Sequence, residues 1–566
     1  MSPTGGYSDA DRREIDNHRQ PFFGGFLEPP WTTESPDWQR LDRKLDPDHR
    51  ARQISRLVDE ELDLQPLRQS YSGRGSAPHR PDLLIKMLLF EHDRGITQPT
   101  KWHRDLCENE PLQWLLMGSI PSLTSLYEFR DRLSRFLPQW NSAVIGQAIA
   151  EGHTEAEQAS LDGSTVAANA SRHHLLNLEQ LDRRIEQLER ADSDVAAAPE
   201  PAAGEAPIPS ATAQVQSDTT VPPELCASSP QAAPPTVDQA TAAAAQPGWM
   251  ATTPRGRAQQ RERYRAARQR LRQQHEENQR RRKDKRKAAN QIRISPTDVE
   301  ACLGRDKYDV YRPLYNVQAM TDLKTDLILS YTVSSCVSDS GQLIPLIDLT
   351  QAVTGRLLRA VLADSGYPSG DDLAACAALG VIIYSPWQEN SFTAKKKAAK
   401  GAPSILPKEQ FRWDAEHRQY ICPQGHCLNY AGKASKQKNN GESVPLEVYR
   451  ADPADCASCP LRAQCVQSKS GARSVRRRPH EEHVEALKER MKSPEAKALY
   501  RQRSQTVERS FADQKEHRGL RKFSGRGQER AAVQAGLSIL VHNLRTLDKL
   551  RSARDEVPAD AEKNAA

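Results

Sequence analysis

The chain lacks any long apolar run and contains few aromatic residues. No apolar stretch approaches the roughly 18–20 residues that a membrane helix needs, and the N-terminus has no apolar segment typical of a secretory signal. Aromatic residues make up 6% of the 566 residues, and the mean hydropathy of −0.74 is low for a globular protein. We therefore expect a cytoplasmic, multidomain and partly disordered protein, and exclude the membrane and secreted classes.

One internal segment lacks positive charge altogether. Residues 191–248 contain 17 Ala and 10 Pro, and neither Lys nor Arg occurs among them. Such a segment has too few apolar groups to offset its ordering entropy, so we predict a disordered linker. Residues 255–287, by contrast, contain 15 basic and four acidic residues and no proline. Apolar residues at helical spacing precede the linker: Leu175, Leu178, Leu181, Ile185 and Leu188. These patterns predict a helical arm that the linker interrupts.

The first 150 residues are predicted to be mostly helical. Pro81 begins an apolar helix that ends near Gly95, and a later helix after Pro121 has one apolar face and one basic face. The basic face is formed by Arg130, Arg132 and Arg135. Short helices that end in a basic helix are typical of a helix-turn-helix domain that binds DNA. The alternative is a helical bundle with an ordinary solvated basic face. The arm supplies further candidate DNA contacts: Arg280, Arg281 and Arg282.

After the arm, the pattern changes to strands. Strands are predicted at residues 159–161, 308–320, 326–334, 357–362 and 381–384. Ser338, Asp339 and Ser340 are expected to cap a helix over about residues 342–353, and a second helix is expected at 371–379. This order predicts a sheet like that of RNase H, antiparallel on one side and parallel on the other, with covering helices.

Two aspartates lie where strands are expected to end. Asp162 precedes Gly163, and Asp364 precedes Ser365 and Gly366. Side chains at the carboxyl ends of neighbouring strands project into an open crevice, where glycine lets a substrate approach closely. A pair of carboxylates suits a hard divalent cation. The alternatives are an ordinary turn at Asp162 and a helix cap at Asp364.

The third acid is expected on a helix near the end of the chain. Within residues 500–515, Glu508, Phe511 and Lys515 are three and four positions apart, so acid, aromatic ring and cation share one helix face. The alternative for Glu508 is a solvated glutamate on a charged helix.

These three acidic segments resemble the motif regions of DDE transposases from bacterial insertion sequences. The likeness is greatest to the IS eleven-eighty-two branch, and it covers about residues 40–190 and 255–550. The similar segments are 162–165, 363–367 and 508–515, with 315–318 as a second-strand motif and 64–67, 79–89 and 125–130 in the N-terminal domain. The resemblance implies that Asp162, Asp364 and Glu508 hold the metal ions, and that Lys515 lies beside a backbone phosphate.

One motif departs from the wider superfamily. The common pattern has a tyrosine seven residues and an arginine four residues before the glutamate. Here those positions are Arg501 and Ser504, while Tyr500 and Arg503 each lie one residue further from Glu508. Lys515 has the expected spacing. Tyr500 and Arg503 are therefore out of register with the family pattern.

A cysteine cluster lies between the second and third acids. The spacing of Cys456 and Cys459, together with the distant Cys-Pro-Gln-Gly turn, is typical of a tetrahedral zinc site. The expected ligands are Cys422, Cys456, Cys459 and Cys465, with Cys427 or His426 as a substitute. The alternative is a cluster of reduced thiols without metal. Similar cysteines occur in this transposase branch, which implies a structural rather than a catalytic unit.

The resemblance implies a transposase that cuts DNA at the terminal inverted repeats of its element and joins the 3′ ends to target DNA. It implies two Mg²⁺ or Mn²⁺ ions, a homodimer on DNA and a place at the bacterial nucleoid. Two alternatives remain: an inactive or domesticated DNA-binding derivative, and an RNase H-like nuclease without strand transfer. The N-terminal DNA-binding domain favours the transposase, since a nonspecific nuclease does not need it.

The fold class is therefore α+β and multidomain. We expect a helical, helix-turn-helix-like domain before an RNase H-like α/β core that contains an inserted arm and a Cys-rich insertion. The expected divisions are a disordered tail (1–40), the helical domain (41–150), the first catalytic strand and start of the arm (151–190), the linker (191–254), the basic arm (255–293), the core (294–390), the Cys-rich insertion (391–480), the C-terminal helices (481–550) and a second tail (551–566).

Overall fold

The computed structural model describes residues 25–71, 77–196, 247–387, 406–466 and 471–555. The helices of the first described part are Pro36–Lys44 (α1), Arg50–Glu61 (α2), Gln65–Gln69 (α3), Pro81–Asp93 (α4), Pro99–Glu108 (α5), Glu110–Leu115 (α6), Leu123–Arg132 (α7) and Leu137–Ala150 (α8). Those that follow are Leu178–Ala196 (α9), Pro254–Arg280 (α10), Leu343–Thr354 (α11), Gly370–Leu379 (α12), Pro453–Ala457 (α13), Arg462–Cys465 (α14), Glu481–Arg490 (α15), Pro494–Arg503 (α16), Arg509–Glu516 (α17) and Gln528–Asp555 (α18). Within these ranges no helix is both long and apolar enough to cross a bilayer.

Helix α4 forms the centre of the N-terminal helical domain. Pro81 occupies its first turn, where no amide donor is needed, and Asp82 places a favourable negative charge at the same end. Every residue from Pro81 to His92 is buried, because α2 and α18 both pack against this helix. The last described helix, α18, thus completes the core of the first domain.

The central sheet has antiparallel and parallel halves. Its strands are Gln158–Ala167 (β1), Cys302–Arg305 (β2), Tyr311–Asp322 (β3), Ile328–Ser334 (β4), Ala360–Ala363 (β5) and Ile382–Tyr384 (β6). The order is β2-β3-β1-β5-β6, and β4 pairs with β3 beside β2. Strand β3 is antiparallel to β1, β2 and β4, whereas β1, β5 and β6 are parallel. Helix α11 packs on one face, and the turn between α16 and α17 packs on the other.

A second sheet is formed by residues that follow β6 in the chain and precede α15. Its strands are Arg412–Asp414 (β7), Gln419–Ile421 (β8), Cys427–Gln437 (β9), Ser443–Ala451 (β10) and Ser474–Arg477 (β11). All pairings are antiparallel, in the order β11-β10-β9-β8-β7. Tyr420, Tyr449 and Val475 form its core together with cysteines. No strand of this sheet was predicted.

Helices α9 and α10 form the predicted arm and have a hydrophobic core of their own. Leu181, Ile185 and Leu188 are buried against Tyr264 and Leu271. Ion pairs also join the two helices, so several arm arginines are already neutralised. The pairs are Arg257 with Asp192 (2.9 Å), Arg265 with Glu189 (2.8 Å) and Arg268 with Asp182 (3.3 Å).

Parts of the segments that were expected to be disordered are folded. Residues 25–40 are packed, since the Trp31 amide donates to the Met117 carbonyl at 3.0 Å and Trp38 stacks on Trp114. Helix α9 continues to Ala196, past the expected start of the linker, and Ala191 and Asp192 still contact the core and Arg257 of the arm. Helix α18 runs to Asp555. The rest of these segments, 1–24, 197–246 and 556–566, lies outside the described residues.

Candidate active site

Asp162 and Asp364 lie on neighbouring parallel strands. The last residue pair between β1 and β5 is Leu161 with Ala363, so both aspartates immediately follow the point where the pairing stops. Strand β1 does not end at Asp162, as expected from the sequence. It continues to Ala167, because β3 is long enough to pair with it over that whole length. The two carboxylates therefore share one edge of the crevice.

Glu508 is connected to Asp162 through an arginine. The Arg503 guanidinium lies 2.9 Å from Asp162 Oδ1 (from Nη2) and 3.3 Å from Glu508 Oε1 (from Nη1). The Arg503 side chain is only 12% exposed, whereas that of Glu508 is 55% exposed. The structure thus brings together the acid from the first strand and the acid from the C-terminal helices.

The one-residue shift in the family motif has a structural explanation. Residues Ser504–Glu508 form a single π-helical turn between α16 and α17. A π turn adds one residue to a helix without changing which face the flanking residues occupy. Arg503 still reaches Glu508, although it is five residues away instead of four. Tyr500 remains close as well: burial raises its pKa, and Asp364, Asp162 and Glu508 add to that rise.

Asp162 lies in a region of concentrated negative charge. Burial raises the pKa of Asp162, and the carboxylates of Asp339 and Asp364 raise it further, while Arg503 and the Gly163 amide oppose them. Among the described residues, ligand atoms of three His, Cys, Asp or Glu side chains come within 4.8 Å of one another only at His480, Glu482 and His483. The three predicted acids are therefore spaced more widely than that, with Arg503 between two of them.

Lys515 lies on the same face of the sheet as Asp162. Its ammonium group donates a hydrogen bond to the Ser164 hydroxyl, two positions along β1. Burial lowers the pKa of Lys515, and the nearby Lys307 lowers it further, whereas Asp162 raises it. Lys515 contacts β1 directly and Glu508 is linked to it through Arg503, so both approach this part of β1 from one helical segment.

The opposite face of the sheet holds polar residues that the sequence analysis did not assign to the site. Asp339 Oδ1 accepts hydrogen bonds from Gln318 Nε2 at 2.7 Å and Asn316 Nδ2 at 3.0 Å. The Tyr367 hydroxyl donates to Gln318 Oε1, which links the turn after Asp364 to strand β3. Gln318 is completely buried. The Tyr-Asn-Val-Gln motif was the available signal for these contacts, since alternate residues of a strand share a face.

Two interpretations of short motifs were wrong. Asp339 does not cap α11, which begins at Leu343 without a side-chain cap, because its carboxylate is already used by the two amides. The space beside Gly163, where a side chain would project, is filled by other residues and is not open to a substrate. A Cβ there would lie 2.3 Å from Gln318 Nε2 and 2.7 Å from Asp339 Oδ1, so the polar network needs the glycine.

The arginines predicted to contact DNA have different environments. Arg130 is buried and paired with Asp131 at 2.6 Å, and Arg132 donates to the Ser70 carbonyl at 2.8 Å and stacks on Tyr71. The expected basic face is therefore absent, because two of its three members make contacts inside the domain and α7 ends at Arg132. The remaining one, Arg135, is exposed. In the arm, Arg280 and Arg281 are exposed, and Arg282 pairs with Asp284 at 2.6 Å.

The four predicted zinc ligands lie in one region of the second sheet. Burial raises the pKa of Cys465, and Cys456, Cys459 and Cys422 raise it further, so the other three thiols lie near that of Cys465. Among the described residues, however, no three of the four sulfur atoms come within 4.8 Å of one another. Cys456 and Cys465 are buried, while Cys427 is exposed. The Cys422 amide donates to the His426 carbonyl at 2.9 Å and so closes the turn that the sequence predicted. Whether these thiols hold zinc stays a prediction.

Two family models match the chain. One is a Transposase DDE domain over residues 421–548, and the other is a transposase domain (DUF772) over residues 39–132. Two stretches of the chain are thus similar to transposase domains. The first match includes Glu508 and Lys515, and the second covers most of α1–α7. No curated protein and no solved structure matched the chain. The two domains support a transposase function.

Proposed function

We propose that this chain is the transposase of a bacterial insertion sequence similar to the IS eleven-eighty-two branch. It cuts DNA at the terminal inverted repeats of the element and joins the freed 3′ ends to target DNA. The observation that carries the proposal is the Arg503 bridge between Asp162 and Glu508, at the sheet edge where Asp364 follows the neighbouring strand. An element has two ends, so we propose that a homodimer holds them.

The strand arrangement supports an RNase H-like core. Three antiparallel strands on one side of β1 and two parallel strands on the other are the order expected for such a sheet. In this arrangement β1 and β5 carry the first two acids, and a helix on the face of the sheet carries the third. The π turn supports the same assignment, because it returns Arg503 and Glu508 to contact despite their unusual spacing.

The donor set suits divalent metal ions. Asp162, Asp364 and Glu508 offer only carboxylate oxygens, which Mg²⁺ and Mn²⁺ prefer. Burial, and to a smaller extent the carboxylates of Asp339 and Asp364, raises the pKa of Asp162, so a cation would stabilise its ionised form. Arg503 partly fulfils that role. Two bound ions would supply charge neutralisation to a phosphodiester exchange. The attacking group is a water or a 3′-hydroxyl, so no protein nucleophile is assigned.

The chain's own residues have distinct tasks in this proposal. Asp162, Asp364 and Glu508 are the residues that would hold the ions, which would neutralise charge at the reacting phosphate. Lys515 lies beside Ser164 and presents a cation to the phosphate backbone. Reactions of this kind depend mostly on positioning and on charge neutralisation, so few further groups are needed.

The test is single replacement of Asp162, Asp364 and Glu508 by Ala in the full chain, with Glu489→Ala as the control at an exposed helical position. Each of the three changes should reduce cleavage of a DNA end carrying the inverted repeat by a factor on the order of a thousand or more. Binding of Mn²⁺, measured by calorimetry, should weaken in the same variants, while DNA affinity and the control remain unchanged. Near-normal cleavage by any one variant would falsify the assignment of that acid.

A further inference from the structure

The three consecutive arginines at residues 476–478 do not all face the same side of the second sheet. Arg477 points inward: it is 7% exposed, stacks on Trp413 and pairs with Glu485 at 3.0 Å. Because side chains alternate along a strand, Arg476 and Arg478 point to the opposite face, where both are exposed. Only Arg477 therefore has a role within the second sheet.

The outward face of the second sheet carries a third cation. Lys436 lies opposite Val444, and Arg476 lies opposite Val448 of the same strand. Val444 and Val448 are four residues apart on β10, so Lys436 and Arg476 share one face. Lys436 is exposed like the two arginines.

The end of the basic arm packs against this same sheet. The Arg282 amide donates to the Asn439 carbonyl at 3.4 Å, at the tip of the β9–β10 hairpin. Gly441 lies against the Arg280 carbonyl, where a Cβ would come within 1.8 Å of the oxygen, so only glycine fits there. Two basic segments that are distant in sequence thus meet. We call Lys436, Arg476, Arg478 and Arg282 together the cationic surface.

The charges of the cationic surface are only partly compensated. Arg282 pairs with Asp284, and the Glu481 carboxylate lies near Arg478, whose backbone amide donates to it at 3.0 Å. Among the described residues, neither Lys436 nor Arg476 forms a salt bridge with a carboxylate. Burial lowers the pKa of Lys436, and the positive charges of Arg478, Arg282 and Arg476 lower it further. Like charges held this close repel each other, and a polyanion would relieve that repulsion.

The cationic surface borders the helix that follows the second acid. A cavity of about 250 Å³ separates it from the start of α12. Its lining includes the cations of Lys436, Lys438 and Arg478 and the carboxylates of Asp371 and Glu481. Helix α12 begins at Gly370, shortly after Asp364. DNA whose scissile phosphate lies at the acids has a continuous backbone, so its flanking phosphates need cations at neighbouring positions.

We propose that the cationic surface binds the phosphodiester backbone of duplex DNA, independently of sequence, beside the active site. The inference rests on the proposed function and adds a binding surface to it. No part of the surface contacts base edges in this proposal, so its contribution to affinity is electrostatic and salt-dependent.

The test is a full-length variant with Lys436→Gln, Arg476→Gln and Arg478→Gln. Its matched control is Arg183→Gln, Arg305→Gln and Lys492→Gln, which removes the same charge from exposed residues that each pair with a carboxylate. Fluorescence anisotropy with a short duplex of arbitrary sequence, without divalent ions, gives affinity between about 50 and 200 mM KCl. Thermal unfolding checks that both variants remain folded.

The cationic-surface variant should bind the duplex roughly ten- to several-hundredfold more weakly than the control. The slope of log binding constant against log KCl concentration should become shallower by about one for each phosphate that the protein no longer neutralises. Equal affinities and slopes in the two variants would overturn the inference. So would a weakening confined to single-stranded RNA with duplex binding intact. The proposed function is tested separately by the acid variants, which should bind DNA normally and fail to cut it. If the wild-type chain binds no DNA, the proposed function itself fails.

Discussion

Replacement of Gly163 by Ala tests why a glycine follows the first aspartate. The new Cβ would lie 2.3 Å from Gln318 Nε2 and 2.7 Å from Asp339 Oδ1, whereas ordinary van der Waals contact begins at 3.4 Å. The buried Gln318 amide must therefore retreat by about 1 Å. That movement breaks its 2.7 Å hydrogen bond to Asp339 and disturbs the one that it accepts from Tyr367.

The energetic cost follows from these contacts. Overpacking of a filled site costs about 1–3 kcal/mol. Loss of a hydrogen bond to a charged group adds about 1.5–3 kcal/mol. Gly163→Ala should therefore destabilise the central sheet locally by about 2.5–6 kcal/mol. Opening of strands β1 and β3 would then become more frequent by a factor between about a hundred and about ten thousand.

Native-state hydrogen exchange of the β1 and β3 amides measures this opening, which suits a multidomain chain better than a global unfolding curve. The matched control is Gly366→Ala, two residues after Asp364, because no atom lies within 4 Å of a Cβ there. The control should exchange like the wild-type protein. If Gly163→Ala also exchanges normally but loses DNA cleavage, the glycine serves substrate approach, and the reasoning from the polar network is refuted.

Two further predictions concern other parts of the chain. Protein prepared under reducing, metal-replete conditions should contain about one zinc per chain, and Cys456→Ser should lose it and unfold the second sheet locally. Elemental analysis without zinc would leave the four cysteines as packed thiols. Burial raises the pKa of Glu91 to about 7. The folded chain therefore holds this proton more tightly than the unfolded chain, and stability is lost as pH rises from about 4.5 through about 7. Glu91→Gln should remove that loss and gain up to about 3 kcal/mol over the wild-type protein across this window, and parallel pH profiles in denaturant titrations would contradict the reasoning.

Much of the central sheet could be predicted because its signals are local. The hairpin of β3 and β4 was expected at residues 308–320 and 326–334 and is found at Tyr311–Asp322 and Ile328–Ser334. Helix α4 likewise begins at Pro81, as predicted. The second sheet was missed, because its strands are short or largely exposed and lack a clear apolar alternation. Its cysteines predicted a metal site but carried no information about strands.

The sequence by itself determined that Asp364 follows a strand, that helices such as α4 begin where they do, and which segments are basic. Each of these depends on residues within a few positions of one another, through periodicity, turns and composition. Three features were decided only by the tertiary structure. A π turn brings Arg503 into contact with Glu508, and the missing side chain of Gly163 leaves room for the Gln318 amide. Arg282 and Arg476 lie near the same lysine, Lys436, on one surface. These contacts depend on strand register and on the packing of segments far apart in the chain. Local sequence patterns do not specify that register or packing.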